Sequence, residues 1–524
     1  MTLATVQTFI PTWSELHRGT GILPVSAASI QPFIPTWSEL HPFAAELWLT
    51  AAIVAVLLAP FFTRRPNFPC ALIALGGLVA ALCWHLSIGA QPAGPRIATM
   101  LVSDPASFFW KSLLLLFTIG IVLMWFATIG SSLHEGDGPE FFSLLLGATL
   151  GMSLMASASN LITIFMSIEL ASLPSYVLAG FRKTRRAGAE ASLKYVLFGA
   201  ATSSIMIYGL SILYGLYGTL NIYDLAPKII ATTTAGGALL AVALSAIFVG
   251  IGFKIAAAPF HFWCPDVFEG AGIDVAAFLS VASKGAGLLL LMRLLAAIAE
   301  PPSVSRVADI AALLGILGAV TSTVGNTAAF VQTNVKRLLA YSSIAHAGYM
   351  LTAAALVIRG NNTAAPGAVL FYLAVYLFMN LGAFTVAGVV LRQTESEQLS
   401  AFAGLGRRSP LLAFCMAAFL LSLIGLPPLA GFLAKLNIMY VLADAGGWWW
   451  ALVVAVGLNT VFSLYYYVRI LKVMYIDPSD APPFAAHPLG TAIAATCAIL
   501  LLLMLIVYGP IGALTATYAR FYTP

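Results

Sequence analysis

The sequence predicts an all-α polytopic membrane protein of about 14 transmembrane helices, organised as two inverted five-helix repeats in which helices 7 and 12 are broken. Three observations predict it. Only 9% of the 524 residues are charged and 60% are hydrophobic, with a mean hydropathy of +0.95, whereas a soluble domain carries about 25% charged residues. Apolar runs of the roughly 20 residues that a bilayer requires follow one another along the chain. Prolines interrupt two of those runs close to a lysine, and the two interruptions stand five runs apart.

The first forty residues stand outside this pattern. Phe9–His17 and Phe33–His41 both read FIPTWSELH, an identical repeat too short for a solenoid unit. Residues 1–41 have neither a basic start nor a continuous apolar run, so they read as a disordered tail and not as a signal peptide. The spans follow near 43–62, 70–89, 108–132, 140–158, 160–180, 188–216, 234–258, 274–298, 307–330, 335–358, 366–391, 410–440, 448–472 and 488–511. Residues 42–135 hold spans one to three, 136–300 the first repeat and 301–475 the second; 476–524 hold span fourteen and the C-terminus.

Loop charges orient the spans. Loops after odd-numbered spans carry thirteen basic residues: Arg64, Arg65, Arg182, Lys183, Arg185, Arg186, Lys336, Arg337, Arg392, Arg407, Arg408, Arg469 and Lys472. The other end carries five: Arg96, Lys228, Arg306, Arg359 and Arg520. The excess places the odd loops in the cytoplasm and both termini outside. Trp448, Trp449 and Trp450 open span thirteen as an interfacial belt would.

Composition also excludes function classes. The net charge of +5 forms no basic stripe, which argues against a nucleic-acid partner. Cys70, Cys83, Cys264, Cys415 and Cys497 lie far apart, which argues against an iron–sulfur cluster or zinc site held by this chain. There is no Gly-x-Gly-x-x-Gly and no Walker A loop, so no nucleotide or flavin fingerprint. The expectation is a chain with no cofactor and no metal of its own.

The chemistry lies in ionisable residues inside apolar runs. Glu169, Lys254, Lys284 and Lys435 sit mid-span, Lys194 about two turns into span six and His346 inside span ten. Each mid-membrane charge costs roughly 2.5–3.5 kcal/mol on insertion scales, so four cost on the order of 10–14 kcal/mol if unpaired. The default reading is an ion pathway facing the bundle interior. Lysine suits a proton relay, because desolvation disfavours its charged form and a nearby carboxylate restores it. Blander readings stand beside this one. Lys194 can snorkel to the interface, His346 can be a hydrogen-bonded packing residue, and His261, beside Pro259, can cap a broken helix. Asp266 and Glu269 read as cytoplasmic loop or helix-end groups.

Lys254 is followed by Pro259, and Lys435 is preceded by Pro427 and Pro428. Proline frees a backbone carbonyl, and such backbone survives in a membrane only where protein or water satisfies it. These breaks take the fourth place in spans four to eight and in spans nine to thirteen. Five being odd, the two groups have opposite orientation, the inverted-repeat layout of many transporters.

The stretches FKIAAAPFHFWCPDVFEGA (253–271), AAFLSVASKGAG (276–287), NVKRLLAYSSIAHAGYM (334–350) and GLPPLAGFLAKL (425–436) resemble the antiporter-like membrane subunits of complex I, the proton-pumping NADH:quinone oxidoreductase. The resemblance covers about residues 42–515, and the PDVFEGA wording and bare fourteen-span length are most like the N-type branch. Two positions depart from it: GID at 272–274 replaces a proline-rich stretch, and Cys264 replaces a threonine or alanine.

The resemblance implies roles. Glu169 would couple to Lys254, the switching carrier of the first repeat. Lys284 would pass the proton along a central axis to Lys435, the terminal carrier. Lys194 would serve the cytoplasmic entry and His346 would bridge the half-channels. It also implies that NADH, FMN, iron–sulfur clusters and quinone belong to partner subunits, that K-, M- and L-type subunits are neighbours, and that the chain lies in a bacterial inner membrane. Multisubunit cation/proton antiporters share the fold and the lysines, so partners decide between the two.

Overall fold

The computed structural model describes residues 35–522 apart from 98, 129–135, 183–184, 233, 300–304, 361–363 and 480–486. The first FIPTWSELH copy, Lys183 and the Arg306 side chain lie outside the described residues. Within the segment read as a tail, helix begins at Trp37, so the first span is Trp37–Phe61.

Among the described residues, thirteen helices are long and apolar enough to cross a membrane. After the first they are Asn67–Ile88, Pro105–Thr128, Gly138–Ser157, Leu161–Ala179, Arg186–Tyr217, Gly237–Ile255, Ile273–Ala297, Ala308–Ala329, Val335–Arg359, Ala364–Thr394, Trp449–Tyr475 and Pro488–Ile506. The run read at 410–440 is two helices of 15 residues each, Pro410–Ile424 and Ala430–Asp444. With that broken pair as span twelve, the spans number as the apolar runs do. Smaller elements escaped the sequence reading, because their apolar content is short. They are a hairpin of β1 (Gly94–Arg96) on β2 (Leu101–Ser103), an amphipathic helix Ile222–Ile230 and a helix Tyr508–Tyr518 after the last span.

Both expected breaks are present. The helix ending at Ile255 resumes as Trp263–Gly270, and Pro259 lies in the gap. Pro427 and Pro428 lie between the halves of span twelve, where Gly425 adopts φ +85°. Only glycine enters that region without a Cβ penalty. Protein groups satisfy the freed backbone. Thr321 Oγ1 accepts from Ala258 N at 3.0 Å, Phe253 O from Trp263 Nε1 at 3.0 Å, and Ser422 Oγ from Gly431 N at 3.1 Å. This is the condition for irregular backbone at membrane depth.

Loop contacts sort into two ends, as alternating spans require. At one end Glu397 binds Arg185 at 3.1 Å and Lys336 at 2.9 Å, Arg337 binds Asp266 at 2.6 Å, and Arg392 donates to Ala127 O at 2.8 Å. These residues belong to the basic-rich odd loops and helix ends. At the other end Ser159 Oγ donates to Thr99 O at 2.9 Å and Leu161 N to Leu220 O at 2.8 Å.

Burial picks out the centre of the bundle. The apolar stretch of span eight is 100% buried and those of spans ten and eleven 94% each, against 28% in span two. Polar side chains within those stretches therefore face protein. Spans nine and ten approach most closely through glycine: a Cβ on Gly348 would meet the backbone of Ser322, and one on Gly325 the backbone of Tyr341 and Ala345. Small residues at membrane interfaces permit such contact. Span eight carries one irregularity, a π turn over Leu279–Ser283 that ends at Lys284.

Candidate functional site: a buried line of titratable side chains

Glu169 lies midway along span five, half-buried, and Ser203 Oγ of span six donates to its Oε1 at 2.5 Å. Seven residues on, the Tyr176 ring faces the ammonium of Lys254, with Nζ 5.9 Å from the centroid. Lys254 is the penultimate residue of the first half of span seven. It is 1% exposed, and among the described residues its Nζ has no hydrogen-bond partner. Glu169 and Lys254 are therefore not joined by a hydrogen bond.

The line continues into span eight. Ser283 Oγ donates to Lys254 O at 3.3 Å, and the next residue is Lys284, fully buried. Lys284 Nζ reaches Cys264 Sγ at 3.4 Å and sits over the Trp263 and Phe268 rings at 5.7 and 5.1 Å. Aromatic faces stabilise an ammonium that has left water. Cys264 Sγ lies 3.9 Å from Ser343 Oγ on span ten. The cysteine that departs from the family pattern thus touches the central lysine.

One turn beyond Ser343 stands His346. Its Nδ1 lies 2.7 Å from the Tyr372 hydroxyl and its Nε2 3.4 Å from that of Tyr467, and its ring stacks on Tyr376 at 5.0 Å. The Tyr467 hydroxyl also hydrogen-bonds Ser342. Tyr349 follows; its ring lies 4.8 Å from Lys435 Nζ, and its hydroxyl accepts from Asn326 Nδ2 at 2.8 Å. Lys435 Nζ donates to Ile424 O at 2.8 Å. That carbonyl ends the first half of span twelve, so the break supplies the terminal lysine with its acceptor. Lys254, Lys284, His346 and Lys435, buried from lipid, thereby lie along a run of hydroxyl, thiol and aromatic groups. Hydroxyl and thiol groups can pass a proton between hydrogen-bonded neighbours, and the rings can face the ammonium that carries it.

Lys194 and His261 lie off this line. Lys194 Nζ bridges Glu190 and Asp266, each at 2.8 Å, and Asp266 and Glu269 also bind Arg337. The two carboxylates read as helix-end groups therefore join spans six, seven and ten. His261 lies in the span-seven break, with the Phe262 ring tilted against it at 4.5 Å. Outside the spans, Glu397 is held below the usual carboxylate range: burial opposes its ionisation, and the charge and hydrogen bond of Lys336 outweigh it.

Three other groups went unread in the sequence. The tyrosines around His346 looked like core aromatics. Arg293 of span eight makes a fully buried two-point pair with Asp104, Nη1–Oδ2 2.7 Å and Nη2–Oδ1 3.0 Å, and also donates to Ala156 O. Glu46 and Lys111 pair at 2.6 Å between spans one and three. Arg293, Glu46 and Lys111 each stand in an apolar run, the same signal that exposed the four mid-span charges.

The family profile described as "NADH:quinone oxidoreductase/Mrp antiporter, TM" matches residues 158–463. The chain belongs to that family. It is 41% identical over 468 residues to NADH-quinone oxidoreductase subunit N of Anaeromyxobacter sp. (strain Fw109-5), covering 84% of this chain and 89% of the relative. It is 42% identical over 492 residues to NADH-quinone oxidoreductase subunit N 2 of Sorangium cellulosum (strain So ce56), covering 90% and 95%. A chain of respiratory complex I from Thermus thermophilus superposes with a TM-score of 0.73 at 33% identity, over 90% of this chain and 99% of that one. A chain of the Mrp complex from Dietzia sp. DQ12-45-1b shares the fold, with a TM-score of 0.76 at 20% identity, over 92% and 97%. The family resemblance and the helical membrane fold expected from the sequence both hold.

Proposed function

We propose that this chain is a proton-translocating membrane subunit of an NADH:quinone oxidoreductase, in a bacterial inner membrane, with NADH, FMN, iron–sulfur clusters and quinone held by other subunits. Membrane-arm subunits of K, M and L type are its proposed neighbours. The observation that carries the reading is the buried line from Lys254 through Lys284 and His346 to Lys435, in a chain about 41% identical to subunit N relatives. Lys254 Nζ, with no hydrogen-bond partner among the described residues, is the unanchored ammonium of the line. In this reading Glu169 biases Lys254 electrostatically across Tyr176. Lys254 releases its proton toward Lys284 when that bias weakens, and the His346 tyrosine cage carries it to Lys435. Spans four to eight and nine to thirteen form the inverted repeats, and Lys194 serves the basic-loop entry. His261 is an accessory group at the span-seven break.

The test is Lys254→Ala in the assembled complex, reconstituted in liposomes. Quinone-coupled proton uptake should fall by at least tenfold while assembly stays normal. Undiminished pumping rejects the assignment. Copurifying subunits discriminate the antiporter alternative: respiratory subunits favour the present reading, small antiporter subunits the other.

A further inference from the structure

Apart from the central line, one charged cluster is buried and unused. Glu46 on span one is 5% exposed and Lys111 on span three 3%. Lys111 Nζ lies 2.6 Å from Glu46 Oε1, and Ser153 Oγ of span four donates to the same oxygen at 2.7 Å. Both donors use Oε1. Glu46 Oε2 is buried and, among the described residues, has no hydrogen-bond partner. A pair kept only to fasten three helices gains little over apolar packing, and one that leaves a carboxylate oxygen bare gains less. A bare buried carboxylate oxygen is where a proton bonds.

Access comes from one side. A small cleft lined by Pro42, His85, Gly89, Ser103, Ser107 and Lys111 reaches Lys111, the partner of Glu46. Its residues belong to the start of span one, the end of span two, the loop that follows and the start of span three, at the end away from the basic-rich loops. His85 of span two faces the pair from the cleft wall, with Nε2 3.1 Å from Phe108 O. The other titratable groups packed on this part of span three are engaged elsewhere. Asp104 is bound to Arg293, Tyr518 stacks on Phe108 at 5.6 Å, and Lys284 lies beyond Trp110, whose ring packs on Gly285.

We propose that Glu46 and Lys111, with Ser153 and His85, form a second proton-binding site, which exchanges with the aqueous phase at the charge-poor end of the bundle through the His85 cleft. One proton from that phase bonds to Glu46 Oε2 and neutralises the carboxylate. Lys111 remains a cation, held over the Phe43 ring at 4.6 Å and facing the cleft. Release of the same proton restores the ion pair. No electron and no other bond is involved. The site is independent of the relay proposed above, and its test reads the carboxyl group itself.

The experiment is a pH titration of the whole reconstituted complex by infrared difference spectroscopy. A protonated-carboxyl band should grow as pH falls and be absent in Glu46→Gln. Ser153→Ala removes a donor to the ionised form, so the midpoint should rise by about one to two pH units. Lys111→Met should raise it further, and both variants serve if Glu46→Gln fails to assemble. The proposal is overturned if the band persists in Glu46→Gln, or if the midpoint stays fixed in Ser153→Ala and Lys111→Met. In Lys254→Ala the band should remain whatever happens to pumping, which separates failure of the relay from failure of this site.

Discussion

Replacing Asp104 by asparagine tests the reasoning about buried charge most sharply. Arg293 gives Asp104 two hydrogen bonds at 2.7 and 3.0 Å, and both side chains are fully buried. The same carboxylate accepts from Ser107 N at 2.9 Å and Tyr522 N at 3.1 Å, which ties span three to span eight and to the C-terminal end. Asparagine keeps the shape, but Ser107 N binds Oδ1 and Tyr522 N binds Oδ2, so its single amide oxygen can accept from only one of the two. What disappears is the counter-charge, and a buried guanidinium is left uncompensated. Removing one partner of such a pair costs about 3–5 kcal/mol, or roughly 10²–10⁴ in the folded-to-unfolded ratio.

The assay is thermal or denaturant unfolding of the solubilised complex, followed on this subunit. Asp104→Leu with Arg293→Met should recover most of the loss, because no charge is then stranded. The carboxyl of Asp104 is held below its ordinary value of 3.8; burial opposes ionisation and Arg293 overcomes it. The stabilisation is therefore complete above pH 3.8 and is lost as pH falls through the lower folded value. Asp104→Asn unfolding within experimental scatter of the parent, or a double variant no better than the single one, refutes the account.

Gly348→Ala should destabilise by about 1–3 kcal/mol, since the obstructing group is the Ser322 backbone and cannot rotate away; the same unfolding assay reads it. A membrane-permeant maleimide applied to the intact chain in detergent should label Cys83, which is exposed, well before the buried Cys70, Cys264, Cys415 and Cys497; mass spectrometry of the labelled peptides decides. Glu397 is held low by Lys336, so its contribution is present above the ordinary value of 4.5 and is lost as pH falls below that. Lys336→Met should flatten this part of the acid-unfolding profile, and an unchanged profile would count against the pair.

Much of this architecture was legible because a bilayer imposes one simple rule on length and polarity. The run read at 488–511 starts where helix Pro488–Ile506 starts, and the run at 274–298 lies within one residue of Ile273–Ala297 at each end. Pro427 and Pro428 announced the gap in span twelve for a local reason: proline cannot continue the hydrogen-bond ladder. What stayed hidden is pairing. Arg293 and Asp104 stand 189 residues apart, and Glu46 and Ser153 stand 107 apart. No spacing rule joins such positions. The tyrosine cage was invisible for another reason, since Tyr372, Tyr376 and Tyr467 count as apolar bulk until a histidine is found among them. Glu169 shows the limit in the opposite sense. Its mid-span place was evident, but its partner in contact is Ser203, a residue with no charge to advertise it.

The π turn over Leu279–Ser283 has a consequence for sequence change in span eight. A π turn winds one more residue into each hydrogen-bonded loop than an α turn. Dropping a single residue inside it can be absorbed by reverting to the regular winding, with Lys284 and Arg293 still aimed as before. The same deletion between those two residues would rotate one against the other by about 100°, carrying either the ammonium or the guanidinium away from its cradle. Length variants gathered by mutagenesis should therefore survive at 279–283 and fail at 285–292.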